Sequence, residues 1–214
     1  MAASTCIEAV GALAELNVEG LSLVRGQRFV LGNLNFRVAA GEMLAVHGRN
    51  GAGKTSLLRA LAGFLAPGSG TIVLRTADGL ALSEGEERRL HVGWVGHQDG
   101  VKSLQTPREF LRGHAAYYRC SGDVEGALSL IGLSRLGDLP AQYLSAGQRR
   151  RLALGRLVLC RRLLWLLDEP LASLDRQGKD MVREWVKAHC AGGGIVVAAT
   201  HEPFGAGGVM LELS

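Results

Sequence analysis

Gly48-Arg49-Asn50-Gly51-Ala52-Gly53-Lys54-Thr55 decides the fold, because it satisfies Gly-x-x-x-x-Gly-Lys-[Ser/Thr] in the context that gives this pattern meaning. Before it, residues 43–47 form a short apolar run that reads as a buried strand. After it, residues 54–64 repeat apolar side chains at helical spacing until Pro67-Gly68. Strand, glycine loop and helix in that order make a phosphate cradle. Gly51 and Gly53 let successive backbone N–H groups close around phosphate oxygens, and the helix start adds partial positive charge. On this reading Gly48, Arg49, Asn50, Gly51, Ala52, Gly53, Lys54, Thr55 and Ser56 bind a nucleotide. Lys54 reaches its β and γ phosphates, and the Thr55 hydroxyl ligates Mg²⁺.

The rest of the chain supplies a core large enough to carry such a site. Its 214 residues fit one domain, or one domain with a subdomain, and 47% of them are hydrophobic, which argues against disorder. The formal charge of +4 could point to nucleic acid or an anionic membrane, but the arginines are scattered or in short runs such as Arg149-Arg150-Arg151. They read as a solvated helix face, so no nucleic acid is expected as a partner. Cys6, Cys120, Cys160 and Cys190 are widely separated with no Cys-x-x-Cys, and read as reduced structural cysteines. The first 20 residues carry Glu8 and Glu15 and no basic start, unlike a secretory signal, and no apolar run approaches the ~20 residues a membrane span needs.

Along the chain, residues 16–46 alternate in short apolar stretches broken by Gly26, Gly32 and Gly41, the pattern of antiparallel strands. Residues 71–74 and 92–95 read as further strands around a polar insertion at 83–89. From about residue 100 to 160 the periodicity is helical, which predicts an inserted helical subdomain. The near-continuous apolar runs at 163–168 and 195–199 are those of parallel strands covered on both faces, joined by a helix over 179–189. The expected fold is therefore α/β, with a mostly parallel core sheet and an N-terminal antiparallel β subdomain. Residues 1–15 are expected to be a flexible N-terminus and 16–214 a single domain.

Two further stretches carry chemistry. The strand Leu163-Leu164-Trp165-Leu166-Leu167-Asp168 ends in a carboxylate that would hold Mg²⁺ through water, and Glu169 follows, placed to polarise an attacking water. Leu144-Ser145-Ala146-Gly147-Gln148 heads an amphipathic stretch as Ser-x-x-Gln, which by itself is a helix capping box. A helix N-terminus with a serine hydroxyl and a close-approach glycine is also a γ-phosphate site.

Taken together, the phosphate loop, this pentapeptide and the strand ending in Asp168-Glu169 resemble the ATP-binding cassette (ABC) ATPases over almost the whole chain. The resemblance implies a P-loop fold in which Ser145, Gly147 and Gln148 face the phosphate loop of a second ATP-binding subunit, so that a homodimer clamps two ATP molecules with Mg²⁺. It implies that Glu169, His201 and Lys54 are catalytic, with His201 contacting the γ-phosphate. Ser173-Leu174-Asp175 resembles the D-loop, and Gln98 the Q-loop glutamine, an Mg²⁺ ligand beside Thr55 and Asp168. Ala146 stands where the family usually has glycine. Arg25 stands where the family usually stacks an aromatic on adenine, with Phe29 as the alternative.

The stretch Gly96-His97-Gln98-Asp99-Gly100-Val101-Lys102, with Thr106 and Glu109, and residues 144–154 and 164–175 are similar to the ATP-binding subunit of the cytochrome c maturation system, or haem exporter. That likeness implies a peripheral subunit on the cytoplasmic face of the inner membrane, bound to integral-membrane permease-like subunits, whose ATP hydrolysis accompanies release of a haem-loaded chaperone. His91, His97 and His114 form no recognisable haem-ligand pair. An ATPase of another small-molecule transporter, a nucleic-acid-associated ABC ATPase and a nucleotide sensor without turnover are the competing readings.

Overall fold

The structure, a computed structural model, describes residues 12–26, 28–160, 162–204 and 209–213. In chain order the strands are β1 (Leu13–Arg25), β2 (Arg28–Ala39), β3 (Met43–Gly48), β4 (Ser69–Thr76), β5 (Ala81–Leu82), β6 (Val92–Val95), β7 (Leu164–Asp168), β8 (Ile195–Ala199) and β9 (Val209–Leu213). The helices are α1 (Lys54–Leu61), α2 (Gly85–Arg89), α3 (Pro107–Tyr118), α4 (Val124–Leu130), α5 (Ala146–Leu159) and α6 (Arg176–Ala191). β1 begins at Leu13, inside the stretch expected to be a flexible N-terminus; residues 1–11 lie outside the described part. Two compact units partition the chain. Of the described residues, one holds 12–97, 162–170 and 182–213, the other 98–160 and 171–181.

The sheet unit contains two sheets. Its five-stranded sheet, in the order β6-β7-β8-β3-β9, is parallel at every pairing. Every residue of β7 and β8 is buried, which is why both read as unbroken apolar runs in sequence. The second sheet, β2-β1-β4-β5, is antiparallel, and in β1 Leu16 and Val18, then Leu21 and Leu23 after a register shift, turn one face into the shared hydrophobic core with Leu57, Leu58 and Leu61 of α1. α1 ends at Leu61, three residues before the apolar repeat does, where the Phe64 N–H reaches back to the Arg59 carbonyl at 2.8 Å.

The polar insertion expected at 83–89 contains a buried element. Arg88 on α2 is only 2% exposed, and its guanidinium donates to the carbonyls of Leu61 (3.3 Å), Ile72 (3.0 Å), Ser83 and Ala60. Two of those oxygens belong to the last turn of α1, where carbonyls have no intrahelical donor, so a long cation from outside the helix caps it. Burial alone lowers the Arg88 pKa, against the opposing pull of Glu84 and Glu87.

The helical unit packs α3, α4 and α5 around Leu111, Leu128, Ile131, Leu152 and Leu154. α3 opens with a complete capping box, Thr106 Oγ1 accepting from the Glu109 N–H and the Glu109 carboxylate from the Thr106 N–H, with Pro107 at the first helical position. Arg108 joins α3 to the loop through Asp138 (2.8 Å) and to α4 through Glu125.

Two sequence readings are corrected here. Cys120 and Cys160 are not separate thiols but a disulfide with Cα atoms 5.7 Å apart, because the ends of α3 and α5 come together across 40 residues of chain. The run Arg149-Arg150-Arg151 is not a solvated face either. Arg150 is 3% exposed and pairs with Asp99 at 3.1 Å, while Arg149 and Arg151 bond the carbonyls of Leu144 and Ile131.

Candidate nucleotide site

The phosphate loop lies where the sequence places it, between β3 and α1 in the sheet unit. Gly53, in the N-cap position of α1, has φ 100°, and a Cβ built there would come within 2.9 Å of the Leu31 side chain and 3.0 Å of Val30. Both the left-handed backbone and the close wall of β2 therefore require glycine. Lys54 is 9% exposed and folds back on its own loop, its Nζ donating to the carbonyls of Gly48 (2.7 Å) and Arg49 (3.3 Å). The first amides of α1 have no acceptor within the helix and point their partial charge at the loop's mouth, an anion-binding arrangement.

Two strand ends close on this loop. Asp168, the last residue of β7, is 3% exposed, and its Oδ2 accepts from Thr55 Oγ1 at 2.8 Å. Glu169 follows in a left-handed conformation, φ 48°, while its N–H donates to the Ala199 carbonyl at 2.9 Å. That conformation is unfavourable for a residue with a Cβ, and here the sheet bond holds it in place. Beyond β8, His201 Nε2 lies 3.4 Å from Glu169 Oε1 and 3.4 Å from Lys54 Nζ. A carboxylate, an imidazole and an ammonium thus meet at the C-terminal ends of parallel strands. The cleft they line encloses about 820 Å³, and Phe29, Val30, Arg49, Asn50, Gly51, Ala52, Ser56 and His97 complete its walls.

Two of these lining residues carried little signal in the sequence. His97 stands in the stretch Gly96–Lys102 beside Gln98, and nothing in its spacing marks it as part of the cleft. Phe29, the alternative to Arg25, is 64% exposed and lines the cleft, whereas the Arg25 side chain lies outside the described residues.

The pentapeptide at residues 144–148 belongs to the helical unit. Ser145 is the N-cap of α5 and makes the full reciprocal box: its Oγ accepts from the Gln148 N–H (3.1 Å) and its own N–H donates to Gln148 Oε1 (2.8 Å). Ser145 and Ala146 are exposed. A Cβ at Gly147 would come within 2.9 Å of the Ser173 carbonyl, so the D-loop backbone passes directly over this glycine. Ser173 itself has φ 63°, and Asp175 caps α6 by accepting from the Gly178 N–H at 2.8 Å. Gln98 is in this unit as well, with an exposed side chain.

The sequence model of the family "ABC transporter" matches residues 31–172. A cytochrome c biogenesis ATP-binding export protein CcmA from Rhodopseudomonas palustris (strain BisB5) is 45% identical over 197 residues, 89% of this chain and 93% of that protein. The protein of the same name from Pseudomonas fluorescens (strain Pf0-1) is 41% identical over 189 residues, 87% and 88% of the two chains. Among solved structures, the ATP-binding subunit of an ABC transporter superposes with a TM-score of 0.74 at 26% identity, over 87% of this chain and 79% of that one. A Pyrococcus furiosus ABC transporter ATP-binding protein shares the fold with a TM-score of 0.79 at 22% identity, over 94% and 98%.

Proposed function

Because the chain belongs to the ABC transporter family, as an ATP-hydrolysing subunit, we propose that it works as a homodimer driving a membrane complex for cytochrome c biogenesis. The meeting of Lys54, Glu169 and His201 over the phosphate loop carries the hydrolytic part of this reading. The relatives named for cytochrome c biogenesis, alike over nearly their whole length, carry the biological part.

In this mechanism the loop amides and Lys54 hold the β and γ phosphates, with Lys54 exchanging its two backbone acceptors for phosphate oxygens. Glu169 polarises the attacking water in line with the γ-phosphate, and His201, in reach of Glu169, orients that water and contacts the γ-phosphate. Thr55 and Asp168, a hydroxyl and a carboxylate 2.8 Å apart, are hard oxygen donors that fit Mg²⁺, with Gln98 as a further ligand. Held there, such an ion would supply positive charge to offset the charge that develops during transfer. Phe29, which lines the cleft, is placed to stack on adenine, with Arg25 as the other candidate. Ser145, Gly147 and Gln148 reach the γ-phosphate bound by a second copy, each charge-assisted bond contributing about 1.5 to 3 kcal/mol, so that ATP itself closes the dimer.

The membrane subunits dock beside Gln98. There the segment after it is pinned to the turn before the signature by Gln142 N–H to Ser103 O (2.9 Å) and Ala141 N–H to Gln105 O (3.0 Å). This leaves Leu104 (78%) and Tyr143 (66%) exposed, a pair of apolar side chains suited to a partner's surface. Among the described residues no helix is long and apolar enough to cross a membrane, which fits a subunit held at the cytoplasmic face of the inner membrane by such partners.

Glu169→Gln tests the reading. It keeps the shape of the site but not the charge that polarises water, so turnover falls by roughly two to four orders of magnitude. The variant retains ATP and accumulates as an ATP-dependent dimer in sizing chromatography. Undiminished steady-state ATPase would refute the role of Glu169, and recovery from membranes with a solute permease and no haem-handling proteins would refute the cytochrome c assignment.

A further inference from the structure

Asp99 immediately follows Gln98, and its carboxylate lies 3.1 Å from the Arg150 guanidinium in the second turn of α5. The Arg150 side chain is 4% exposed and that of Asp99 25%, so the pair is largely shielded from water and from salt. The next residue, Gly100, has φ 71°, and a Cβ built there would lie 4.0 Å from the Arg156 guanidinium, one and a half turns further along the same helix. The chain leaving Gln98 is thus laid along α5 over two arginines. That helix begins at Ser145, whose N-cap box fixes the signature residues to its first turn.

We infer that Asp99 and Arg150 are positioning residues that lock the γ-phosphate-facing N-terminus of α5 to the segment carrying Gln98, so that movement of either moves the other. This rests on the dimer reading above, which gives the N-terminus of α5 its partner phosphate. The physical argument is the cost of separation. Breaking a shielded ion pair by removing one member is costly, so the Asp99 segment and α5 travel as one body. Neither residue touches the bound nucleotide of its own chain in this mechanism. Their effect falls on closure of the dimer and not on nucleotide affinity.

The test uses the full chain in the Glu169→Gln background, with Asp99→Asn, Arg150→Gln, both together, and Asp99→Glu. MgATP affinity is measured by equilibrium dialysis below the dimerising concentration, dimer formation by light scattering, and amide exchange at Gly147 and Gln148 by mass spectrometry. The inference expects affinity within about twofold and an ATP-driven dimer weakened about tenfold or more by either single change. The double variant is no worse than the worse single one, Asp99→Glu recovers most of the loss, and exchange at the α5 N-terminus rises in Asp99→Asn. Wild-type-like dimerisation of Asp99→Asn, additive losses in the double variant, or a parallel loss of ATP affinity each overturn it. Should the Glu169→Gln parent itself fail to dimerise with ATP, the dimer reading falls. The exchange measurement then decides the ion pair alone, unchanged protection at Gly147 and Gln148 overturning it.

Discussion

Each of the two compact units carries one half of the residues proposed for the site, and each holds its half in a different way. In the sheet unit, functional groups from α1, the end of β7 and the segment after β8 converge on one another: Lys54 on His201, His201 on Glu169, Thr55 on Asp168. In the helical unit the signature groups turn inward on their own helix, Ser145 and Gln148 satisfying each other and Gly147 packing under the Ser173 carbonyl. The first half is recognisable as chemistry from its geometry alone. The second is a well-made helix cap, and only a partner's phosphate would give it a further task.

The largest expected effect comes from removing the cation of the first half. Lys54→Ala deletes one or two charge-assisted phosphate bonds of about 1.5 to 3 kcal/mol each, which lowers MgATP affinity of the single chain roughly a hundredfold. Titration calorimetry at concentrations too low for dimerisation measures this directly. Affinity retained in that variant would break the comparison, since nucleotide would then be held by something outside the phosphate loop.

Gly147→Ala should do the opposite. Its new Cβ would meet a backbone oxygen at 2.9 Å, and neither the first turn of α5 nor the D-loop can yield without moving Ser145 or Ser173. Overpacking of this kind costs about 1 to 3 kcal/mol of stability. Single-chain ATP affinity is expected to stay within about twofold while steady-state turnover drops about tenfold, because in the proposed dimer only the half that faces the partner is disturbed. A fall in the monomer's affinity would show that the two halves are not separable in this way.

How much of this could be read from residues alone follows the same division. The parallel strands were legible because β7 and β8 are covered on both faces and so lose the polar alternation that would disguise them. The phosphate loop was legible because its glycines are demanded by local backbone geometry, Gly48, Gly51 and Gly53 all having positive φ, and because Lys54 follows them at fixed spacing. Long-range side-chain placement was not. The burial of Arg88 and Arg150 depends on which carbonyls and carboxylates the fold brings near them, and an arginine looks the same in sequence whether it is solvated or clamps a helix end. The Cys120–Cys160 pairing was hidden for the same reason, two thiols 40 residues apart meeting only once α3 and α5 pack. The boundary of α1 was misread because a helical apolar repeat runs past the point where the backbone turns.

The smallest effect sharpens the comparison by giving the sheet unit a pH dependence unrelated to catalysis. His189 on α6 stacks on Trp165 of β7 at 4.0 Å with the rings 11° apart, and its Nε2 lies 3.2 Å from the Leu163 carbonyl, which selects the tautomer that donates there. Burial pushes its pKa down from 6.5 to about 4, outweighing the favourable backbone bonds to Leu163 and Ile195. A histidine with a depressed folded pKa is stabilising while neutral. The contribution is complete above the unfolded value of 6.5 and is lost as pH falls through 6.5 toward about 4. Between about pH 7 and about pH 5.5 the loss is on the order of 1 kcal/mol, seen as a falling urea midpoint at constant slope. His91, whose pKa burial and the nearby Arg162 also lower, adds in the same direction. His189→Phe keeps an aromatic face on Trp165 and removes the titrating group, so its midpoint should vary less with pH than that of the parent. Equal slopes in the two proteins would mean that the acid sensitivity of the sheet unit arises elsewhere.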